Sequence, residues 1–197
     1  MSTATLSDAP GTTPSGRRSP AIPSEVIGIF LFVFTELMLF AGLISAFRIA
    51  QASAAVWPPM GQPRLPIEAT ALNTAALLAS GLVLFFSRRA VRRDPAGTTT
   101  RMLTCLCLGA AFVLLQGSEW VALLREGLTI RSSILGSFFY LIIGLHAVHA
   151  VAGLGALLRT WRRFVSGTGS PGSLAAAEIF WLFVVGLWPV LYLTVYR

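Results

Sequence analysis

The sequence contains few charged residues and no lysine at all. Only 12% of its 197 residues are Asp, Glu, Lys or Arg, about half of the ~25% that is usual for soluble domains. By contrast, 55% are hydrophobic and the mean hydropathy is +0.74. Because a soluble chain of this length keeps a large fraction of its residues at the surface, this composition excludes an ordinary water-soluble domain and indicates a membrane protein.

Cysteine and histidine are scarce, with two residues of each. Cys105 and Cys107 stand two positions apart, which on a helix directs them to different sides, so a disulfide between them is not expected. His146 and His149, at spacing i, i+3, share one helix face. Two histidines on one helix cannot hold both faces of a haem, and metal sites normally recruit more ligands. We therefore predict that this chain binds no metal or redox cofactor itself.

Five apolar segments are each long enough to cross a membrane as an α-helix. About 20 residues at ~1.5 Å each span the ~30 Å of hydrocarbon. Strands are not expected, since a lone strand leaves its backbone groups unpaired in lipid. The sequence thus predicts an all-α integral membrane protein, with a disordered polar tail over residues 1–22 and a five-helix transmembrane domain over residues 23–197. The segments run from about Ser24 to Phe47, Ile67 to Phe86, Met102 to Leu124, Ser133 to Leu158, and Leu174 to Tyr196.

All fifteen basic residues are arginine, and the formal net charge is +7. In a soluble protein this charge would suggest nucleic acid. Here the arginines lie in short connections beside apolar segments, so we expect membrane lipids and no nucleic acid as their partners. The tail and the 2–3 and 4–5 loops hold ten arginines, among them Arg159, Arg162 and Arg163, against five on the other side. This asymmetry predicts that the N-terminus lies inside and the C-terminus outside.

Glu36 is the clearest candidate for a functional residue, because a carboxylate inside a membrane is costly. It lies about ten residues into the first segment, or ~15 Å deep by helical rise. Its depth overlaps that of His146 and His149, so a pairing with one of them is a hypothesis. The alternative is a protonated glutamate whose only role is to form a hydrogen bond between helices.

Other polar groups within the segments fit hydrogen bonds between helices. Asn73, Glu119 and Glu178 are candidates for such bonds. Because Glu119 and Glu178 lie near segment ends, hydration is the alternative for these two. Small residues, among them Gly42, Gly109, Gly153 and Gly155, predict close helix packing. No arrangement of residues typical of a soluble active site is present.

Several strings of residues resemble subunit III of the haem-copper terminal oxidases, the cytochrome c and quinol oxidases. Six of them follow the order of that family and together cover most of residues 25–197. They are FTELMLFAG at 34–42, WPP at 57–59, LNT and LLAS at 72–80, QGSEW at 116–120, GSFFY at 136–140 and GLHAVH at 144–149. The chain is similar to the five-helix form of the family. It departs from the W-H-F-x-D pattern of the last helix, where residues 181–185 read WLFVV.

The resemblance implies a non-catalytic subunit in aerobic respiration. Glu36 matches the membrane carboxylate that reacts with carbodiimides, and lipids are expected in a cleft between helices 1–2 and the remaining three. The chain would pack on catalytic subunit I together with subunit II, which hold the haem and copper, and would support proton uptake in a bacterial inner (plasma) membrane. Arg159, Arg162 and Arg163 would contact phospholipid headgroups. An accessory subunit of nitric oxide reductase and an autonomous small transporter or proton channel are the alternatives.

Overall fold

A computed structural model describes residues 24–59, 67–90 and 93–196. Within these ranges the regular structure is entirely helical, and all five helices are long and apolar enough to cross a membrane. The predicted all-α, five-helix membrane fold is therefore confirmed, whereas the predicted disordered tail lies outside the described residues. The helices are α1 (Ser24–Ser53), α2 (Ile67–Ala90), α3 (Pro95–Arg125), α4 (Ile134–Val165) and α5 (Pro171–Val195).

The helices extend beyond the predicted apolar segments. Helix α3 begins at Pro95 rather than near Met102, because the side chain of Asp94 accepts a hydrogen bond from the Gly97 backbone N–H at 2.8 Å and so caps the helix. Helix α4 has 32 residues, or about 48 Å at ~1.5 Å per residue, which exceeds the ~30 Å of hydrocarbon. Hydropathy locates the hydrocarbon crossing, whereas polar caps outside it set the ends of the helices.

Helix α5 is the central element of the bundle. It packs against α1, α2 and α4, while α2 packs on α3, α3 on α4, and α4 on α1. In the described part of the chain, α1 and α2 make no close contact with each other. They therefore do not form one wall of a cleft, and the expectation of a cleft between helices 1–2 and the remaining three is wrong.

Three hydrogen bonds attach α5 to the antiparallel helix α2. The indole N–H of Trp181 donates to Ser80 Oγ at 3.1 Å, and that of Trp188 donates to Thr74 Oγ1 at 2.8 Å. Nearer the end of α5, the hydroxyl of Tyr192 donates to the backbone carbonyl at the start of α2, at Ile67, at 3.1 Å. Both tryptophans are completely buried. Because no water is available there to bond an indole, these bonds fix the register of the two helices.

Two glycines make room for Trp181 between α3 and α4. A Cβ atom added at Gly109 would lie 2.6 Å from the ring of Trp181, and one added at Gly153 would lie 2.9 Å from it. The predicted close packing at these two positions is confirmed. It is wrong for Gly42 and Gly155, where an added Cβ would meet nothing within 4 Å.

Replacing Gly109 by alanine tests this packing. We expect Gly109→Ala to destabilise the bundle by about 1–3 kcal/mol, because the methyl group displaces the buried ring of Trp181. The midpoint of thermal unfolding in detergent measures the effect. Gly42→Ala is the matched control and should be neutral or slightly stabilising, since alanine favours helix and its Cβ is unobstructed there. Equal midpoints for the two variants would contradict the assigned packing of Trp181.

Candidate functional site

Glu36 and His149 form an ion-pair contact between α1 and α4. The Oε2 atom of Glu36 lies 2.9 Å from Nε2 of His149, and their side chains are 16% and 10% exposed. Glu36 thus meets one of the two histidines that the sequence singles out. His146, one turn earlier on α4, makes no such contact.

The other ring nitrogen of His149 restricts where the protons of this pair reside. Nδ1 of His149 lies 2.8 Å from the carbonyl oxygen of Leu145. A carbonyl oxygen only accepts, so Nδ1 carries a hydrogen. Nε2 is then the ring nitrogen that faces Glu36, and the two side chains make a close contact without the geometry of a hydrogen bond. An acidic and a basic group in contact lower the cost of burying each other in hydrocarbon.

Aromatic rings surround His149 on several sides. The ring centroids of Phe40, Phe180 and Phe183 lie 5.5, 6.2 and 6.2 Å from that of His149, and Phe32 lies at 6.4 Å. These phenylalanines come from α1 and α5, so three helices build the site. A surrounding of this kind excludes water and strengthens the attraction within the pair. Apolar residues in a membrane helix carry no distinguishing signal, and sequence reasoning did not identify these four.

His146 lies in an apolar environment instead of beside a carboxylate. It is 1% exposed, and its ring contacts those of Trp188 and Phe40, with centroids 5.0 and 6.5 Å away. Neither of its ring nitrogens has a hydrogen-bond partner among the described residues. Of the two histidines, only His149 therefore meets Glu36, while the ring of His146 packs on that of Trp188 in α5.

Glu119 lies in a separate polar cluster that joins α2 to α3. Its carboxylate accepts hydrogen bonds from Thr70 Oγ1 at 2.8 Å, Asn73 Nδ2 at 2.9 Å and Gln116 Nε2 at 2.9 Å. Gln116 also donates to the hydroxyl oxygen of Tyr196 at 3.1 Å. Glu119 therefore bonds between helices, as the sequence allows, and of the two alternatives hydration is the one that the structure does not favour.

Glu178 is a third buried carboxylate, apart from both of the others. It is 2% exposed, and its Oε2 lies 3.4 Å from Nε of Arg88. The side chain of Arg88 is 53% exposed, so it reaches from the end of α2 to a carboxylate on α5, as long basic side chains do near membrane interfaces. Glu178 therefore pairs with a side chain on another helix, the first of the two alternatives that the sequence leaves open.

Arginines cluster at the end of α4. Arg159 and Arg163 line a groove of about 240 Å³ together with Ser173, Phe180 and Ile29. Arg162 joins them around a second, shallower depression of about 470 Å³. The first groove combines guanidinium groups with apolar walls from α1 and α5, the chemistry that a phospholipid headgroup and its acyl chains require. In the described ranges, no three His, Cys, Asp or Glu side chains converge into a metal-binding group.

Comparisons with known proteins identify the family. The family model described as cytochrome c oxidase subunit III matches residues 11–197. Proteins named cytochrome c oxidase subunit 3 from Pelomedusa subrufa and Synechocystis sp. are both 32% identical to this chain, over 94% and 87% of it and 74% and 75% of their own length. A probable cytochrome c oxidase subunit 3 from Nocardia farcinica is 34% identical over 86% of both chains.

These matches confirm the resemblance deduced from the residue strings, and with it the role of a non-catalytic subunit III of a haem-copper oxidase. Neither the nitric oxide reductase alternative nor the autonomous transporter is favoured by them. The chain belongs to the cytochrome c oxidase subunit III family.

Proposed function

We propose that this chain packs on catalytic subunit I of the oxidase, beside subunit II, and there supports proton uptake and the stability of the complex. The haem and copper belong to those partners, and this chain holds neither. The observation that carries the proposal is the Glu36–His149 contact of 2.9 Å. It brings a carboxyl group and an imidazole, two groups that bind and release protons, into contact inside an apolar bundle, which is what a proton-handling accessory site needs.

The exposed surface of α1 supports an assembly partner. Helix α1 is the least buried of the five in the described part of the chain. Leu31, Phe34 and Met38 are 64, 62 and 63% exposed, and they follow one another at spacings of three and four residues, which places them on one side of the helix. On the same helix, the carboxyl group of Glu36 contacts His149 of α4. The partner would therefore not need to supply a group that pairs with Glu36.

We further propose that the arginine-rich end of α4 contacts anionic phospholipid. Arg159, Arg162 and Arg163 lie on its last two turns. The excess of arginines on this side predicts that the N-terminus lies inside and the C-terminus outside. The membrane would be a bacterial inner membrane. Arg88, which pairs with Glu178, belongs to the same side of the bundle.

Purification through a tag on the full chain tests the proposed partners. In a mild detergent we expect the chain to copurify with proteins that show a haem absorption spectrum and consume oxygen. Antibodies or mass spectrometry should identify subunits I and II in the same fraction. A chain that arrives alone and colourless would contradict the proposal, and companions that reduce nitric oxide but not oxygen would favour the reductase alternative.

Glu36→Gln tests the assignment of the buried carboxyl. A hydrophobic carbodiimide should label the wild-type chain at Glu36, and Glu36→Gln should abolish that label while the complex still assembles. Glu68→Gln, at an exposed position of α2, is the control and should leave the label unchanged. In His149→Phe the carboxyl loses its contact with the imidazole and is free to react, so labelling should be at least as fast as in the wild type. A label that survives Glu36→Gln would place the reactive carboxyl elsewhere.

The lipid contact is tested with two double variants of equal charge change. Arg159→Gln with Arg163→Gln should reduce the anionic phospholipid retained by the purified complex, since each arginine near the surface contributes about 1 kcal/mol to such contacts. Arg125→Gln with Arg131→Gln, at the opposite end of the helices, should leave it unchanged. Lipid phosphorus per complex after a detergent wash is the measurement. Equal retention in both double variants would remove the site.

A further inference from the structure

The arginine-lined groove of about 240 Å³ lies on one side of the Glu36–His149 contact. Ile29 of α1 and Ala156 of α4 line this groove. They stand seven residues from Glu36 and from His149, respectively, and both are displaced toward the arginine-rich end of the bundle. Two turns of each helix, roughly 10 Å by helical rise, therefore separate the groove from the contact.

One residue of the groove, Phe180 of α5, also contacts the site. Its ring centroid lies 6.2 Å from that of His149 and 5.7 Å from that of Phe32, which precedes Glu36 by one turn. Phe180 lines the groove and is 8% exposed. The ring of Phe180 therefore stands between the groove and the histidine.

The rings on the other side of His149 lead into the core of the bundle. Phe40 is completely buried and Phe183 is 9% exposed, and neither lines the groove. The ring of Phe40 also contacts that of His146, which is itself buried. Phe180 instead borders a groove whose walls carry guanidinium and hydroxyl groups, which attract water. The groove is thus the direction from which water reaches the site most directly.

Small side chains leave space beside the ring of Phe180. Ala156, Ala176 and Ala177 contribute to the walls of the groove. Its volume of about 240 Å³ exceeds the ~150 Å³ of an engineered cavity that accepts benzene. A change of rotamer at Phe180 can therefore place its phenyl ring within the groove and vacate the position beside His149.

We propose that this groove is the entrance through which water and protons reach the Glu36–His149 site from the arginine-rich side, and that the ring of Phe180 closes it. The proposal rests on the proton-handling role proposed above. When the ring turns into the groove, the space that it leaves joins the groove to His149. The acid and the base can then exchange protons with water while α1 and α4 stay packed.

Carbodiimides of two kinds test the entrance on the complex purified through the full chain. A hydrophobic carbodiimide can reach Glu36 through the lipid, because the side chain is 16% exposed, whereas a water-soluble one needs an aqueous route. We expect Phe180→Ala to raise the rate of labelling of Glu36 by the water-soluble reagent several-fold relative to the rate for the hydrophobic reagent. Peptide mass spectrometry locates and quantifies the label. All samples keep the same detergent and lipid, because a phospholipid in the groove would cover the ring.

Phe183→Ala is the matched control. Phe183 lies on the same helix, is 9% exposed and has its ring at the same 6.2 Å from that of His149, but it does not line the groove. Each variant removes one phenyl ring from the site, so a general loosening would appear in both. Equal ratios of the two labelling rates in Phe180→Ala and Phe183→Ala would overturn the proposal.

Ala176→Leu fills the groove from a half-buried position on α5. Combined with Phe180→Ala, it should return the water-soluble labelling toward the wild-type rate, and an acceleration that persists would contradict the entrance. If Phe180→Ala does not assemble, Ala176→Leu alone decides: slower labelling by the water-soluble reagent supports the entrance, and unchanged labelling overturns it. Copurification with haem-bearing partners is scored separately, so the entrance can fail while the proposed function stands.

Discussion

The absence of water inside a membrane is the constraint on which this structure depends. A polar side chain between the helices is costly to bury unless the protein itself supplies a partner. Three carboxylates obtain such a partner in three different ways: Glu36 through a histidine, Glu119 through three neutral donors, and Glu178 through an arginine that reaches in from the interface. Each solution joins two helices, so the groups that are costliest to bury also specify which helices meet.

Helix α5 shows how the same constraint produces specificity without charge. Its residues 181–185 lack the polar pair that the family often has there, yet the indole of Trp181 bonds Ser80 and that of Trp188 bonds Thr74. Gly109 and Gly153, on two other helices, leave space for the ring of Trp181. The side chain of Trp181, on α5, therefore contacts α2, α3 and α4, and none of these contacts involves a charged group.

The five-helix architecture could be predicted from the sequence, because an apolar segment of this length has few alternatives to a helix in lipid. The sequence also identified Glu36 and the two histidines as candidate functional residues, because ionisable side chains are rare in transmembrane segments. It could not choose between His146 and His149, because both share one face and only the rotation of α4 against α1 and α5 separates them. It identified Glu119 and Glu178 as candidates for bonds between helices but could not name the partners that α2 supplies, since Thr70 and Arg88 lie far away along the chain. Distance from a segment end predicts hydration only when no neighbouring helix supplies a donor.

The hydrogen on Nδ1 of His149 has a consequence for the orientation of the imidazole ring. Because Nδ1 donates to the carbonyl oxygen of Leu145 on the same helix, the ring cannot turn over without breaking that bond. Nε2 is therefore kept directed at Glu36 by α4 itself. A rotation of α1 about its own axis would separate the two side chains, whereas the histidine would stay in place.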